Sequence, residues 1–407
     1  MQGKNIDTAK EVIVMVEAWL VELAKGVAKL LLNPLLYWFV IVLLLAGYRR
    51  VKRERQNFGT KIFDVFSEWR STWLFSLVTG FVISVIMIGT GFVVSYPSLL
   101  LLSFIAILFS ISGRFMFLSP VYTIGISFVL LLFVPTLLEN QQWIREDIFD
   151  PINLAAFPLL LGVLLIAEGL LLKRTNMKDT FPGLSLSNRG VWVGEHHLKK
   201  LAMIPFFLLL PSGLITPFAD FWPYVSFGEQ SYSIILFPFL LGVDYKVRGR
   251  YPKEAANKIA VPIILLGIGA AGLAVGGVFF SPLSLVAVVV TIFGKEYINY
   301  RHRNSERLRR CYFHPMNNGL KVLGVIPGTP ADRLDIKVGE NIMKVNGQKV
   351  NSIDSFYQSL QASGAYFKLD IEDLNGELRF VQGALYQGDH HELGLLFSDT
   401  PYRRKEA

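Results

Sequence analysis

Glu195-His196-His197 puts the residue types of a zinc hydrolase side by side. The chemistry needs another spacing: two histidines four apart on one helical face, with the glutamate beside them, so that both imidazoles reach one metal ion. Here the three are adjacent in a basic segment, where they read as a solvated turn. His302, His314, His390 and His391 also fall outside the long apolar runs. A serine hydrolase inside a membrane needs a base at depth, and ionisable groups there are rare and telling. Glu168 is the one acid near the interior of an apolar run, and it lies close enough to Lys173 and Arg174 to snorkel outward. No GxxxxGK[ST] phosphate loop is present. The expectation is a non-enzyme, with no catalytic residue, no metal site and no cofactor.

Recognition through backbone hydrogen bonds has better candidates, all beyond Tyr312. Residues 319–326 read as a strand, and Pro327-Gly328-Thr329-Pro330-Ala331 as a turn opening a short helix. Residues 341–345 read as a strand closed by Asn346-Gly347, a type I′ pair because both positions must tolerate positive φ. Residues 352–362 carry Ile353, Phe356 and Leu360 on one helical face, with Ser352 or Asp354 as cap. Residues 366–373 and 377–381 form a hairpin, and 393–397 a last strand.

This order resembles a PDZ domain, an α+β fold built as a small, partly open β-barrel with two helices. The resemblance rests on VIPGTPA at 325–331, IKVGENIMKVNGQKV at 336–350 and the helix that follows. Leu334-Asp335 and Gly339-Glu340 depart from the usual Ala-Gly and Gly-Asp pairs, yet keep turns feasible. A PDZ domain takes an extended peptide as an added strand beside a helix. By that resemblance the groove strand is Leu393, Gly394, Leu395, Leu396 and Phe397, following Glu392, with Phe356 and Leu360 lining the helix wall. The Leu-Gly-Leu at 393–395 resembles the carboxylate-cradling loop. An ordinary closing strand of the barrel is the other reading.

The rest of the chain must hold this module somewhere. Of 407 residues, 52% are hydrophobic and the mean hydropathy is +0.43. Apolar runs near the about 20 residues that cross a bilayer recur up to Phe293. The expected spans are 30–48, 74–95, 97–112, 117–138, 152–172, 201–219, 231–243, 259–280 and 282–298, giving a polytopic α-helical membrane protein of about eight or nine spans. Segments 49–61, 173–200, 244–258 and 295–310 hold 23 Lys and Arg, whereas 96, 139–151 and 220–230 hold only Arg145. Cytoplasmic loops carry such an excess, so everything after Lys295 is expected in the cytoplasm. The net charge of +8 therefore reads as topology and not as a nucleic-acid face, since 318–399 hold 7 Lys and Arg against 11 Asp and Glu. Residues 8–29 read as an amphipathic helix lying at the interface. Gly272 with Gly276, and Ala270 with Ala274, read first as packing within one bundle and second as a homo-oligomer face. Cys311 stands alone, so no intrachain disulfide forms.

The whole arrangement resembles the MinJ family, the membrane-embedded division-site determinants of Firmicutes. NPLLYWFVIVLLLAGYRRVKRERQNFG at 33–59, the multi-span body, the basic link and the terminal PDZ domain carry the resemblance. The domains expected are an amphipathic segment 1–29, a transmembrane body 30–298, a basic linker 299–311, a PDZ domain 312–400 and a polar tail 401–407. The resemblance implies a cell-membrane adaptor at septum and poles, joining a DivIVA-like coiled-coil protein to a MinD-like protein and its MinC partner. A PDZ-bearing membrane protease or its regulator, and a transporter with a cytoplasmic anchor, are the alternatives.

Overall fold

Two prolines mark how the apolar middle of the chain folds. Pro205 and Pro238 lie inside 201–219 and 231–243, and a proline inside a helix costs about 3 kcal/mol. These two segments are not helical spans. They are strands of one long antiparallel hairpin, and Pro205 pairs with Pro238 at the same rung. An unbroken apolar run does not distinguish a buried strand from a buried helix, which is why the sequence reads either way.

The computed structural model describes residues 2–138, 156–187, 189–217, 222, 231–316, 318–362, 364, 366–384 and 393–405. The acidic loops expected at 139–151 and 220–230, with Arg145, lie almost wholly outside them, as does Glu392. In chain order the first half comprises α1 (Gln2–Leu30), α2 (Pro34–Phe58), α3 (Ser67–Arg70), α4 (Trp73–Thr90), α5 (Tyr96–Ile111), α6 (Pro120–Leu138) and α7 (Ala156–Lys173). Strands β1 (Phe181–Leu186), β2 (Trp192–Ile215) and β3 (Tyr232–Val247) follow, then α8 (Pro252–Phe279) and α9 (Pro282–Leu308). Among the described residues four helices are long and apolar enough to cross a membrane: α2, α4, α8 and α9. The strands at 201–219 and 231–243 remove two of the expected spans, and the four candidates do not confirm eight or nine; α5 is a shorter apolar helix.

The β2–β3 hairpin forms the centre of this half. Backbone away from water must find every hydrogen bond inside the protein. Helix α4 and the residues flanking it supply partners: Val94 donates to Leu209 O at 2.9 Å, Thr72 Oγ1 to Leu201 O at 2.8 Å, and Phe207 N to Ser84 Oγ at 2.9 Å. Gly80 lets α4 lie flat on the hairpin, since a Cβ there would stand 2.0 Å from Pro205 O. The amphipathic segment, α1, packs its Trp19 and Leu23 against Trp222, Tyr232 and Ile234 at the far end of the hairpin. Between α7 and α8 the approach is equally close: a Cβ on Gly162 would meet Ala271 N at 2.7 Å. Ala270 and Ala274 are buried there, while Gly272 faces open space.

The second half comprises β4 (Leu320–Lys321), β5 (Gly324–Val325), α10 (Pro330–Arg333), β6 (Asn341–Val345), β7 (Gln348–Lys349), α11 (Ile353–Gln361), β8 (Tyr366–Glu372), β9 (Leu378–Ala384), β10 (Leu395–Leu396) and α12 (Tyr402–Lys405). One sheet runs β4-β6-β8-β9 with β7 on β6, and a second pairs β10 with β5. The turn chemistry falls where the sequence puts it. Asn346 and Gly347 have φ of 50° and 82°. Ser352 caps α11 in a reciprocal box with Ser355.

Candidate functional site

The residues expected at the groove meet at one place. β10 pairs antiparallel with β5, Leu395 opposite Val325 and Leu396 opposite Gly324, and among the described residues no strand lies on its other side. Phe397 meets Phe356 edge to face, ring centres 5.3 Å apart. Leu393, Leu395, Phe397, Phe356 and Leu360 are all buried in the core of this half, with Leu396 buried beside them. Gly394 has φ +80°, and a Cβ there would sit 2.2 Å from Thr329 Oγ1, so only glycine fits the bend. The carbonyls of Leu393 and Gly394 accept from Ala331 and Ile326, which ties this loop to the start of α10.

Two residues outside the expected set belong with them. Ile353 and Tyr357, four apart on α11, are half-buried against the core and flank the buried Phe356 and Leu360. A cavity of about 230 Å³ opens at the α11 end, between Lys321, Ser352, Ile353, Asp354, Phe397 and Ser398. The i, i+4 spacing on an amphipathic helix was the available signal for this pair.

A PDZ-domain family model matches residues 321–372. Over 383 residues the chain is 33% identical to the cell division topological determinant MinJ of Bacillus subtilis (strain 168), covering 93% of this chain and 96% of that protein. The chain belongs to the MinJ family. It is also 26% identical over 390 residues to a probable MinJ of Lacticaseibacillus paracasei, covering 91% of this chain and 97% of that one. MinJ membership brings together a PDZ domain, membrane-crossing helices and a place in cell division.

In this MinJ-family chain the PDZ half is seated on the base of the hairpin. Helix α9 runs straight through the basic stretch to Leu308. Its Glu306 carboxylate accepts from the amides of Arg248 and Gly249 at 2.7 and 2.8 Å, and Tyr312 N donates to Arg248 O at 2.7 Å. Gly194 of β2 donates to Phe313 O at 2.9 Å, and a Cβ on Gly194 would strike Leu323 at 2.4 Å. Lys178 reaches Asp332 at 3.1 Å.

Glu195, His196 and His197 stand at this seam, buried on β2, which corrects their reading as a solvated turn. His196 Nε2 lies 2.8 Å from Leu323 O, which can only accept, so Nε2 carries the proton. Nδ1 then accepts from Thr180 Oγ1 at 2.9 Å. Burial pushes the ring's pKa down to about 4, so it is neutral near pH 7. Burial raises the Glu195 pKa, but His197 and Arg248 outweigh it and hold the carboxylate well below its usual range. Among the described residues no three His, Cys, Asp or Glu side chains gather to hold a metal ion.

Glu168 is also corrected. It does not snorkel; it is buried on α7 and pairs with the buried Lys295 of α9, while Ser119 Oγ donates to it at 2.5 Å. Lys295 had been counted with the basic loops. Lys295 lies where the expected span 282–298 and the basic segment 295–310 overlap, and the buried face Ser284, Ala287, Val288, Thr291, Lys295 and Asn299 puts it on the inward side of α9. With both charges satisfied and sealed, the pair reads as a structural joint between α7 and α9.

Proposed function

We propose that this protein is a non-enzymatic, multi-pass membrane adaptor in division-site selection, its PDZ domain cytoplasmic and its place the septum and poles. It links a DivIVA-like coiled-coil protein to a MinD-like protein and its MinC partner. The carrying observation is the relationship over nearly the full length to a protein described as a cell division topological determinant. The free side of β10, beside the half-buried Ile353 and Tyr357, supports a peptide-accepting PDZ groove built on Leu393, Gly394, Leu395, Leu396, Phe397, Phe356 and Leu360. In this reading the helices place the module at the inner membrane surface, and the partner segment adds to β10 as a strand.

The test is crosslinking in living cells from a photoreactive residue at Asp354, an exposed position on the cavity rim. Recovery of the coiled-coil or the MinD-like protein, lost when Tyr357 is replaced by Arg, supports the groove. Recovery of neither, from a protein that still reaches the septum, defeats it.

A further inference from the structure

The four basic segments 49–61, 173–200, 244–258 and 295–310 look like separate loops in the sequence. In the fold they converge. One cleft of about 1240 Å³ is lined by Arg53 from the first, Arg189 and Lys199 from the second, Lys246 and Arg248 from the third, and Arg303, Arg307, Arg309 and Arg310 from the fourth, with Arg114 added from the α5–α6 turn. That is ten cations, against Asp244 and Glu306 among the lining residues. The cleft thus carries a formal +8, equal to the net charge of the whole chain, and the remaining residues balance. A topology signal needs basic residues on one side of the membrane; it does not need them gathered round one cavity.

The charge is also not internally spent. Glu306 is committed to the amides of Arg248 and Gly249. Of the ten cations, Arg53, Arg114, Arg189, Lys199, Arg307, Arg309 and Arg310 have no carboxylate within 4 Å among the described residues. Lys199 lies half-buried against the Phe115 ring, 4.2 Å from its centre. Burial depresses its pKa, and Arg53 and Arg49 add to the depression against the opposing pull of Asp244 and Glu68. Cations held near one another in this way are stabilised by an anion between them.

Position selects the kind of anion. Three walls are the ends of apolar helices: Arg53 on α2, Gly113 and Arg114 at the α5–α6 turn, and Asn299 to Leu308 on α9. Leu100, Phe104, Leu108 and Ile111 form an exposed apolar stripe along α5 that ends two residues before Gly113. A phosphate in the cleft would thus have a hydrocarbon-facing path beginning beside Arg114. Basic pockets between membrane helices on the cytoplasmic side are suited to anionic lipid headgroups.

We propose that this cleft binds the phosphodiester headgroup of an anionic phospholipid, with its acyl chains along α5. The lipid then bridges the ends of α2 and α9 and the base of the hairpin, beneath the PDZ seat.

The full-length protein in nonionic detergent would be titrated with dioleoyl phosphatidylglycerol, cardiolipin and dioleoyl phosphatidylcholine, and lipid retention read by native mass spectrometry. The variant R114Q/K199Q/R307Q/R310Q removes four cleft cations, while K337Q/K344Q/K349Q/K368Q removes four from the PDZ half. The expected result is retention of the anionic lipids over the choline lipid, at least tenfold weaker in the first variant and unchanged in the second. Equal weakening in both variants, or no preference for anionic lipid, overturns the proposal. Displacement by inorganic pyrophosphate at the lipid's own concentration assigns the site to a soluble phosphate and overturns the lipid source. Displacement by hexaglutamate assigns it to an acidic protein segment and does the same. A photoactivatable phosphatidylglycerol gives a variant-free reading: labelling confined to peptides of 187–199 and 303–310 supports the site, and labelling spread over the apolar helices refutes it.

Discussion

The two halves of this chain satisfy their backbones by different means, and each shows where a sequence can be read. The PDZ half uses short elements joined by residues with specific turn chemistry: Asn346-Gly347, the Ser352 cap, Gly394. Each choice is local and visible. The membrane half sinks a long hairpin among helices and completes its hydrogen bonds with groups far away in sequence, such as Thr72 to Leu201 and Ser84 to Phe207. Nothing local announces those partners. The contrast also separates their energetics. Disruption in the PDZ half should be modest and confined; disruption in the membrane half should be large and shared.

The largest effect is expected at Lys295. Removing one member of a buried ion pair costs about 3–5 kcal/mol, because the other charge is left uncompensated. Lys295→Met should lower the thermal unfolding temperature in detergent strongly, and Lys295→Met with Glu168→Leu should recover most of the loss. A double variant as unstable as the single would sharpen the comparison differently, by giving the pair a role beyond packing.

The seam between the halves comes next. Gly194→Val drives a side chain into Leu323 and Phe313 and should cost roughly 1–3 kcal/mol, as overpacking does. Amide exchange should quicken at 313–325 and stay slow in β6 and β8. Loss of protection throughout the PDZ half would mean that it folds only when seated.

The same seam should respond to pH through His196. Its folded pKa of about 4 lies below the ordinary 6.5, so its stabilisation is whole above pH 6.5 and disappears as pH falls toward 4. At pH 5.5 seam opening should rise about tenfold, and in His196→Gln this acid dependence should vanish. A protection factor at Leu323 that stays unchanged from pH 7 to 5 would remove the histidine from the joint. The smallest effect is Ser352→Ala, which loses the α11 cap at a cost of about 1 kcal/mol and should leave the membrane half untouched in a denaturant titration.

The limits of reading follow from these residues. Asn341–Val345, Ile353–Gln361 and the 366–384 hairpin are legible because polar turns bracket alternating or helical patterns. Strands β2 and β3 are not, since an all-apolar strand lacks alternation when both faces are covered. Glu195 and His196 look like solvent residues because their partners, Arg248 and Leu323, lie 53 and 127 positions away. The last strand was legible through its Leu-Gly-Leu, and Ile353 through its place on the Phe356 and Leu360 face, whereas Tyr357 lies beside that face and was masked by it. The convergence of four basic segments on one cleft is a property of the hairpin topology, which the sequence does not display.

The seating of the PDZ half on the hairpin is the point on which the rest turns, and a zero-length carbodiimide crosslink probes it in native membranes. Lys178 and Asp332 stand 3.1 Å apart across the seam, and Lys344 and Asp370 stand 4.0 Å apart within the PDZ half. Both amide crosslinks should be found by peptide mass spectrometry. Finding the internal link without the Lys178–Asp332 link would show a PDZ half that is tethered but not seated.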